Sequence, residues 1–175
     1  SRKDPDMSVP PQETARVLIE ALPHMQRYDE EIVVVKYGGH AMGQEKAARS
    51  FARDIVLLEQ TAINPVVVHG GGRQMTKFLE ERGVESRFVG GLRVTTPEVL
   101  DAVLKVFAGS VNKLLVSALV AEGAPAVGLS GIDARLAEAR QMNAELGAVG
   151  RITRVNAELL DVLCDAGYLP VVACV

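Results

Sequence analysis

The sequence predicts an α/β fold with a mainly parallel central sheet covered by helices on both faces. Two observations carry this. Short β-branched runs, IVVVKY at 32–37 and PVVVH at 65–69, alternate with longer segments of helical periodicity. Both runs stop on glycines, Gly38-Gly39 and Gly70-Gly71-Gly72, before the helical pattern begins. Strand–helix alternation of this kind builds crossover units, which join parallel strands.

Each element follows in order. Residues 1–9 are polar and read as a disordered tail. After Pro10-Pro11, Ala15, Leu18, Ile19 and Leu22 keep amphipathic helical spacing, predicting a helix over 10–28 that Pro23 kinks or ends. Ile32–Val35 predicts a strand buried on both faces. A helix near 44–61 follows, with Ala48, Phe51, Ala52, Ile55 and Leu58 on one face. Strand 65–69 leads to a helix near 73–82, stopped by Gly83. Residues 84–95 predict a hairpin turning on Gly90-Gly91. Thr95 and Glu98 have capping-box spacing and Pro97 suits a first turn, opening a helix to about Phe107. Gly109 is read as a break before a second helix, near 111–122. Strand 125–129, the Ser130-Gly131 loop, a hairpin over 146–155, a helix capped by Asn156 and stopped by Gly167, and strand 169–174 complete the order.

The chain has 175 residues, 48% of them hydrophobic, which suits one compact domain or half of a larger protein. Its net charge of −3 supplies no basic footprint for nucleic acid. No apolar run of membrane-spanning length and no secretory signal stands out, so a cytosolic protein off the membrane is expected. Cys164 and Cys174 lie among apolar residues and read as small core side chains. An apolar strand at the very end of the chain predicts an N-terminal part of a longer protein.

Ligands of open α/β sheets bind beyond the carboxyl ends of the strands, where the glycine loops fall. Gly38-Gly39 and Gly70-Gly71-Gly72 run into helix N-termini, whose free N–H groups favour anions. Lys36 ends its strand beside the first loop, where an ammonium must reach water or meet an anion. Together these predict an oxyanion site. The standard phosphate motifs do not fit. Gly38 and Gly43 have Walker A spacing, but Gln44-Glu45 stand where Lys-Ser/Thr is required, and Met75 replaces the third glycine of a dinucleotide fingerprint. Arg93, in GLRVT beside the hairpin glycines, suits carboxylate clamping from a flap. His69 reads as a turn residue and His40 as part of a helix start. No catalytic serine or cysteine set and no carboxylate cluster for a metal declares itself. A carboxylate acceptor needs no general base, because it is already ionised with a pKa of about 4.3. Phosphorylating one requires only positioning and charge neutralisation.

Read together, VVVKYGGHAM, PVVVHGGGRQM, FVGGLRVT, GSVNKLL and GYLPVV resemble acetylglutamate kinases of the amino-acid kinase family, in that family's order. The resemblance implies a three-layer αβα sandwich and transfer of the γ-phosphate of MgATP to the γ-carboxylate of N-acetyl-L-glutamate, in arginine biosynthesis. It implies that Lys36 stabilises the transferring phosphoryl group and that Gly38 and Gly39 form the phosphate loop. Gly71 and Gly72 would hold the reacting carboxylate, and Arg93 the α-carboxylate. Residues 29–175 would be the substrate-binding lobe, the ATP-binding lobe lying beyond Val175. Two alternatives stand beside this: a kinase of another carboxylate, such as carrier-linked aminoadipate, and a non-catalytic regulatory or dimerising module. The N-terminal helix resembles that of arginine-sensitive members, which implies a homodimer or hexamer with L-arginine as feedback inhibitor. His24 departs from the aromatic expected in that helix.

Overall fold

The structure, a computed structural model, describes residues 9–38 and 45–175. Helix α1 (Pro11–Arg27) leads to strand β1 (Ile32–Tyr37), helix α2 (Glu45–Gln60) and strand β2 (Asn64–His69). Helix α3 (Gly72–Glu80) and a short hairpin, β3 (Phe88–Val89) and β4 (Leu92–Arg93), come next. Helix α4 (Pro97–Val103), a π-helical segment (Leu104–Val111) and helix α5 (Asn112–Ala121) run on without interruption. Strand β5 (Ala126–Ser130), a second hairpin of β6 (Ala137–Gln141) and β7 (Gly150–Val155), helix α6 (Glu158–Asp165) and strand β8 (Leu169–Ala173) complete the chain.

The central sheet has the order β1-β2-β8-β5, and every pair in it is parallel. The steps from β1 to β2 and from β2 to β5 run in one direction across the sheet, and the step from β5 back to β8 reverses it. Right-handed crossovers therefore put α2 and α5 on one face and α6 on the other. On the first face, Tyr37, Ala52, Ile55, Val67, Leu115, Leu119 and Val171 form one buried cluster, with the Tyr37 and Phe51 rings stacked 4.1 Å apart. The αβα layering is that of the predicted sandwich.

Several expectations need correction. Strand β1 is not buried on both faces: it is the sheet edge, and Val34 is 64% exposed on the face that α2 does not cover. Pro23 does not end α1, which continues to Arg27. Gly109 does not break the helical rod; it lies inside the π segment. The helix cap is Thr96, whose Oγ accepts from the Val99 amide, while the Thr95 hydroxyl donates to Arg93 O. Asn156 does not cap α6, because its amide donates to Ala134 O. The partner of β7 is β6, which lies before the predicted hairpin and whose AEARQ sequence has no β-branched residue. Cys164 is buried, but Cys174 is exposed. The rod Pro97–Ala121, 25 residues long, is apolar enough to cross a membrane by length and composition. Here it presents Val99, Ala102, Val106, Val111, Leu115 and Leu119 to the core.

Candidate functional site

Strand register assembles the site. Tyr37 pairs with His69, His69 with Ala173, and Ala173 with Ser130. The loops following these residues therefore emerge side by side along the carboxyl edge of the sheet: Gly38, Gly70-Gly71-Gly72, Cys174 and Gly131. The row is tied together by backbone bonds, Cys174 N–H to His69 O at 3.0 Å and Gly131 N–H to Val175 O at 2.8 Å. At Ser130, the amide and hydroxyl both donate to Asp133 Oδ2, at 2.6 and 3.0 Å.

Lys36 occupies the last turn-out of β1 opposite Val68, with its side chain on the exposed face. Its positive charge is felt at Cys174, where it opposes the rise that desolvation imposes on the thiol pKa. Gly38 follows directly, whereas Gly39 and His40 lie outside the described residues.

Gly71 is buried and Gly72 is exposed at the first turn of α3. Gly71 has extended backbone, so its need for glycine is spatial: a Cβ there would sit 2.9 Å from the Phe107 ring and 3.3 Å from Val111. The π segment thus presses directly on the glycine loop. A π-helical stretch of this kind is rare in proteins and concentrates at functional sites.

Arg93 is brought to the same place by the first hairpin. Gly90 and Gly91 both have positive φ, 57° and 80°, the geometry of a two-residue turn matching strand twist. The Arg93 guanidinium donates to Ser86 Oγ, to Thr76 Oγ1 at 2.8 Å and, at longer range, to Gly72 O at 3.4 Å. It also stacks over the Phe88 ring, 4.7 Å from the centroid. Partial burial lowers its pKa from the ordinary value, yet a guanidinium starts so high that it stays charged. Among the described residues these partners engage three of its five N–H groups, a geometry that leaves donors able to meet an anion.

The structure therefore joins Arg93 to the Gly71-Gly72 turn and sets Lys36 and Gly38 on the neighbouring strand end. Sequence reasoning missed Thr76 and Ser86, which orient the arginine. It also missed Asn112, a buried amide inside the apolar run VNKLLVSALV. That one polar residue facing the core was the available signal. His69, read as a turn residue, is fully buried, with Nδ1 2.8 Å from Gly70 O and Nε2 3.0 Å from Asn112 Nδ2. Desolvation lowers its pKa, partly offset by the Gly70 bond, so the ring favours the neutral form.

The amino acid kinase family fits residues 31–175 of the chain. The chain belongs to that family. Among curated proteins, this family member is 50% identical to the acetylglutamate kinase of Afipia carboxidovorans, over 94% of its own length and 60% of that protein's. It is 49% identical to the acetylglutamate kinase of Methylobacterium nodulans, over 91% of its own length and 57% of that protein's. The chain thus spans about 60% of the length of the curated relatives it matches. Among solved structures, N-acetylglutamate synthase from Neisseria gonorrhoeae, complexed with coenzyme A and N-acetyl-glutamate, superposes with a TM-score of 0.76 at 25% identity, covering 90% of this chain and 37% of that one. The smu.665 protein of Streptococcus mutans superposes with a TM-score of 0.75 at 27% identity, covering 82% and 58%.

Proposed function

We propose that this chain is the acceptor-binding part of an enzyme that moves the γ-phosphate of ATP onto the γ-carboxylate of N-acetyl-L-glutamate, giving an acyl phosphate in arginine biosynthesis. The observation that carries the reading is the convergence of Arg93 on the Gly71-Gly72 turn. One cation and one set of helix N-terminal amides, side by side, suit a ligand with two carboxylates. Arg93 would take the α-carboxylate, and the Gly71 and Gly72 amides the reacting γ-carboxylate. Lys36, across the β1–β2 pair, would neutralise charge on the transferring phosphoryl group, with Gly38 and Gly39 leaving room for phosphate oxygens. MgATP, bound chiefly by the rest of the longer protein, supplies the phosphoryl group.

The reaction needs no proton abstraction, and the site agrees with that. His69 has both ring nitrogens engaged within the protein, so it is not a free base. The curated acetylglutamate kinases at about half identity support the choice of acceptor over aminoadipate derivatives. The reading carries with it a cytoplasmic setting, where ATP is available. The test is acceptor profiling of the full-length protein with N-acetylglutamate, aminoadipate derivatives, aspartate, glutamate and carbamate. Preference for N-acetylglutamate is the expected result; preference for another acceptor would replace the substrate, and turnover of none would favour the non-catalytic module.

We further propose that α1 serves assembly, in a homo-oligomer that L-arginine inhibits. Helix α1 buries no residue, and Val17, Leu18, Ile19 and Leu22 along it are exposed. An apolar stripe left open in this way suits exchange with another subunit.

A further inference from the structure

A turn of three consecutive glycines has little conformational preference of its own, so its geometry must be imposed from outside. We propose that Asn112 is a positioning residue that imposes it, acting through His69 on the Gly70–Gly71 peptide. The inference rests on the reading that the Gly71 amide meets the acceptor carboxylate.

The hydrogen bonds determine one another. Asn112 Nδ2 lies 2.8 Å from Val171 O and 3.4 Å from Leu129 O, both of which can only accept. Asn112 Oδ1 lies 3.1 Å from Lys113 Nζ, which can only donate. The orientation of the amide is therefore settled by its protein partners. Of the two Nδ2 hydrogens one goes to Val171 O and the other to His69 Nε2 at 3.0 Å, with Leu129 O the more distant neighbour, so Nε2 is the acceptor and carries no proton. The neutral imidazole keeps its proton on Nδ1, which donates to Gly70 O at 2.8 Å.

Gly70 C=O and Gly71 N–H belong to one planar trans peptide and point in opposite directions. Anchoring the carbonyl on His69 thus fixes the direction of the Gly71 N–H, which points away from the His69 ring. Two spaces make the arrangement possible. Gly128 lacks the Cβ that would lie 2.0 Å from Asn112 Oδ1, and Gly71 lacks the Cβ that would press on Phe107. Asn112 follows the π segment directly, so that segment sets both the Phe107 contact and the rotation of Asn112 into the sheet.

The test uses the 175-residue chain labelled with ¹⁵N. The imidazole of His69 is expected as the Nδ1–H tautomer, and the Gly71 amide as rigid, with an order parameter of about 0.85. Asparagine at position 69 can place an N–H where Nδ1 was; glutamine can occupy only the Nε2 position. H69N should keep Gly71 rigid and N-acetyl-L-glutamate affinity within about threefold, whereas H69Q and N112L should lower the order parameter below about 0.6. Calorimetry should find N-acetyl-L-glutamate bound about tenfold more weakly by those two, the effect of one lost interaction. A role in packing alone would lower the melting temperature of H69N and H69Q alike and leave Gly71 equally rigid in both; that result, or an Nε2–H tautomer in the wild type, overturns the proposal. If the wild-type chain bound no N-acetyl-L-glutamate, the substrate reading would fail, while the tautomer and the Gly71 order parameters would still judge Asn112.

Discussion

Gly128→Ala probes the space on which the Asn112 network depends. The new Cβ would lie 2.0 Å from Asn112 Oδ1, 3.0 Å from its Cγ and 2.6 Å from Lys113 Nζ. The lysine tip can swing away into solvent at little cost. Asn112 cannot, because it is 1% exposed and bonded to Val171 O and His69 Nε2. Displacing it removes the donor from two buried acceptors, at roughly 1–3 kcal/mol each. Alanine returns up to about 1 kcal/mol by restricting the unfolded chain. The net loss is about 3 kcal/mol, which for a chain of this size lowers the melting temperature by roughly 6–12 °C. Gly109→Ala is the control, since a Cβ there meets nothing within 4 Å and the residue is helical. It should be neutral or stabilising by up to about 1 kcal/mol. Thermal and urea melts of both variants give the answer. A Gly128→Ala protein as stable as the wild type, with unchanged Asn112 side-chain amide signals, would show that the Asn112 bonds do not depend on this space.

In the full-length enzyme, Lys36→Ala should lower kcat by roughly a hundredfold or more with less change in KM for N-acetylglutamate; near-normal turnover would remove its role. Arg93→Lys keeps the charge but loses the planar fork held by Ser86 and Thr76, so KM for N-acetylglutamate should rise while ATP affinity holds. Equal weakening of both substrates would show the assignment to be wrong. Because burial lowers the folded-state pKa of His69 below the ordinary 6.5, its contribution to stability is complete above that pH and is lost as pH falls through the folded value. Urea melts from pH 7.5 down to 5 should therefore show a wild-type loss that His69→Asn lacks; parallel curves would speak against it. Deleting residues 1–28 from the full-length enzyme should yield smaller, active oligomers insensitive to L-arginine, as light scattering and an arginine titration would report.

Local rules made much of this fold legible. The β-branched runs at β1 and β2, their ends before Gly38 and Gly70, and the Gly90-Gly91 turn are each dictated by a few neighbouring residues, and all occur where predicted. Features that depend on tertiary context were not legible. Whether β1 is central or at an edge depends on strand order, which its own residues do not encode. Gly109 weakens a helix locally, but packing of Val106, Val111 and Leu115 carries the rod across it. Strand β6 has helix-forming residues and is recruited by β7. At the candidate site, Lys36, the glycines and Arg93 stand out by residue type and position. Thr76 and Ser86 gain their role only from where the hairpin carries Arg93, and Asn112, marked in the sequence only as a polar residue in an apolar run, acts through a histidine 43 residues away.

In the proposed function, the Gly71-Gly72 turn and Arg93 together hold the two carboxylates of N-acetyl-L-glutamate. A ¹⁵N NMR titration of the 175-residue chain with N-acetyl-L-glutamate tests it most directly, with N-acetyl-L-aspartate, one methylene shorter, as comparison. Saturable shifts are expected to concentrate at the Gly71 and Gly72 amides and the Arg93 guanidinium, with markedly weaker binding of the shorter compound. Saturation that leaves these three residues unmoved, or equal binding of both compounds, would contradict it.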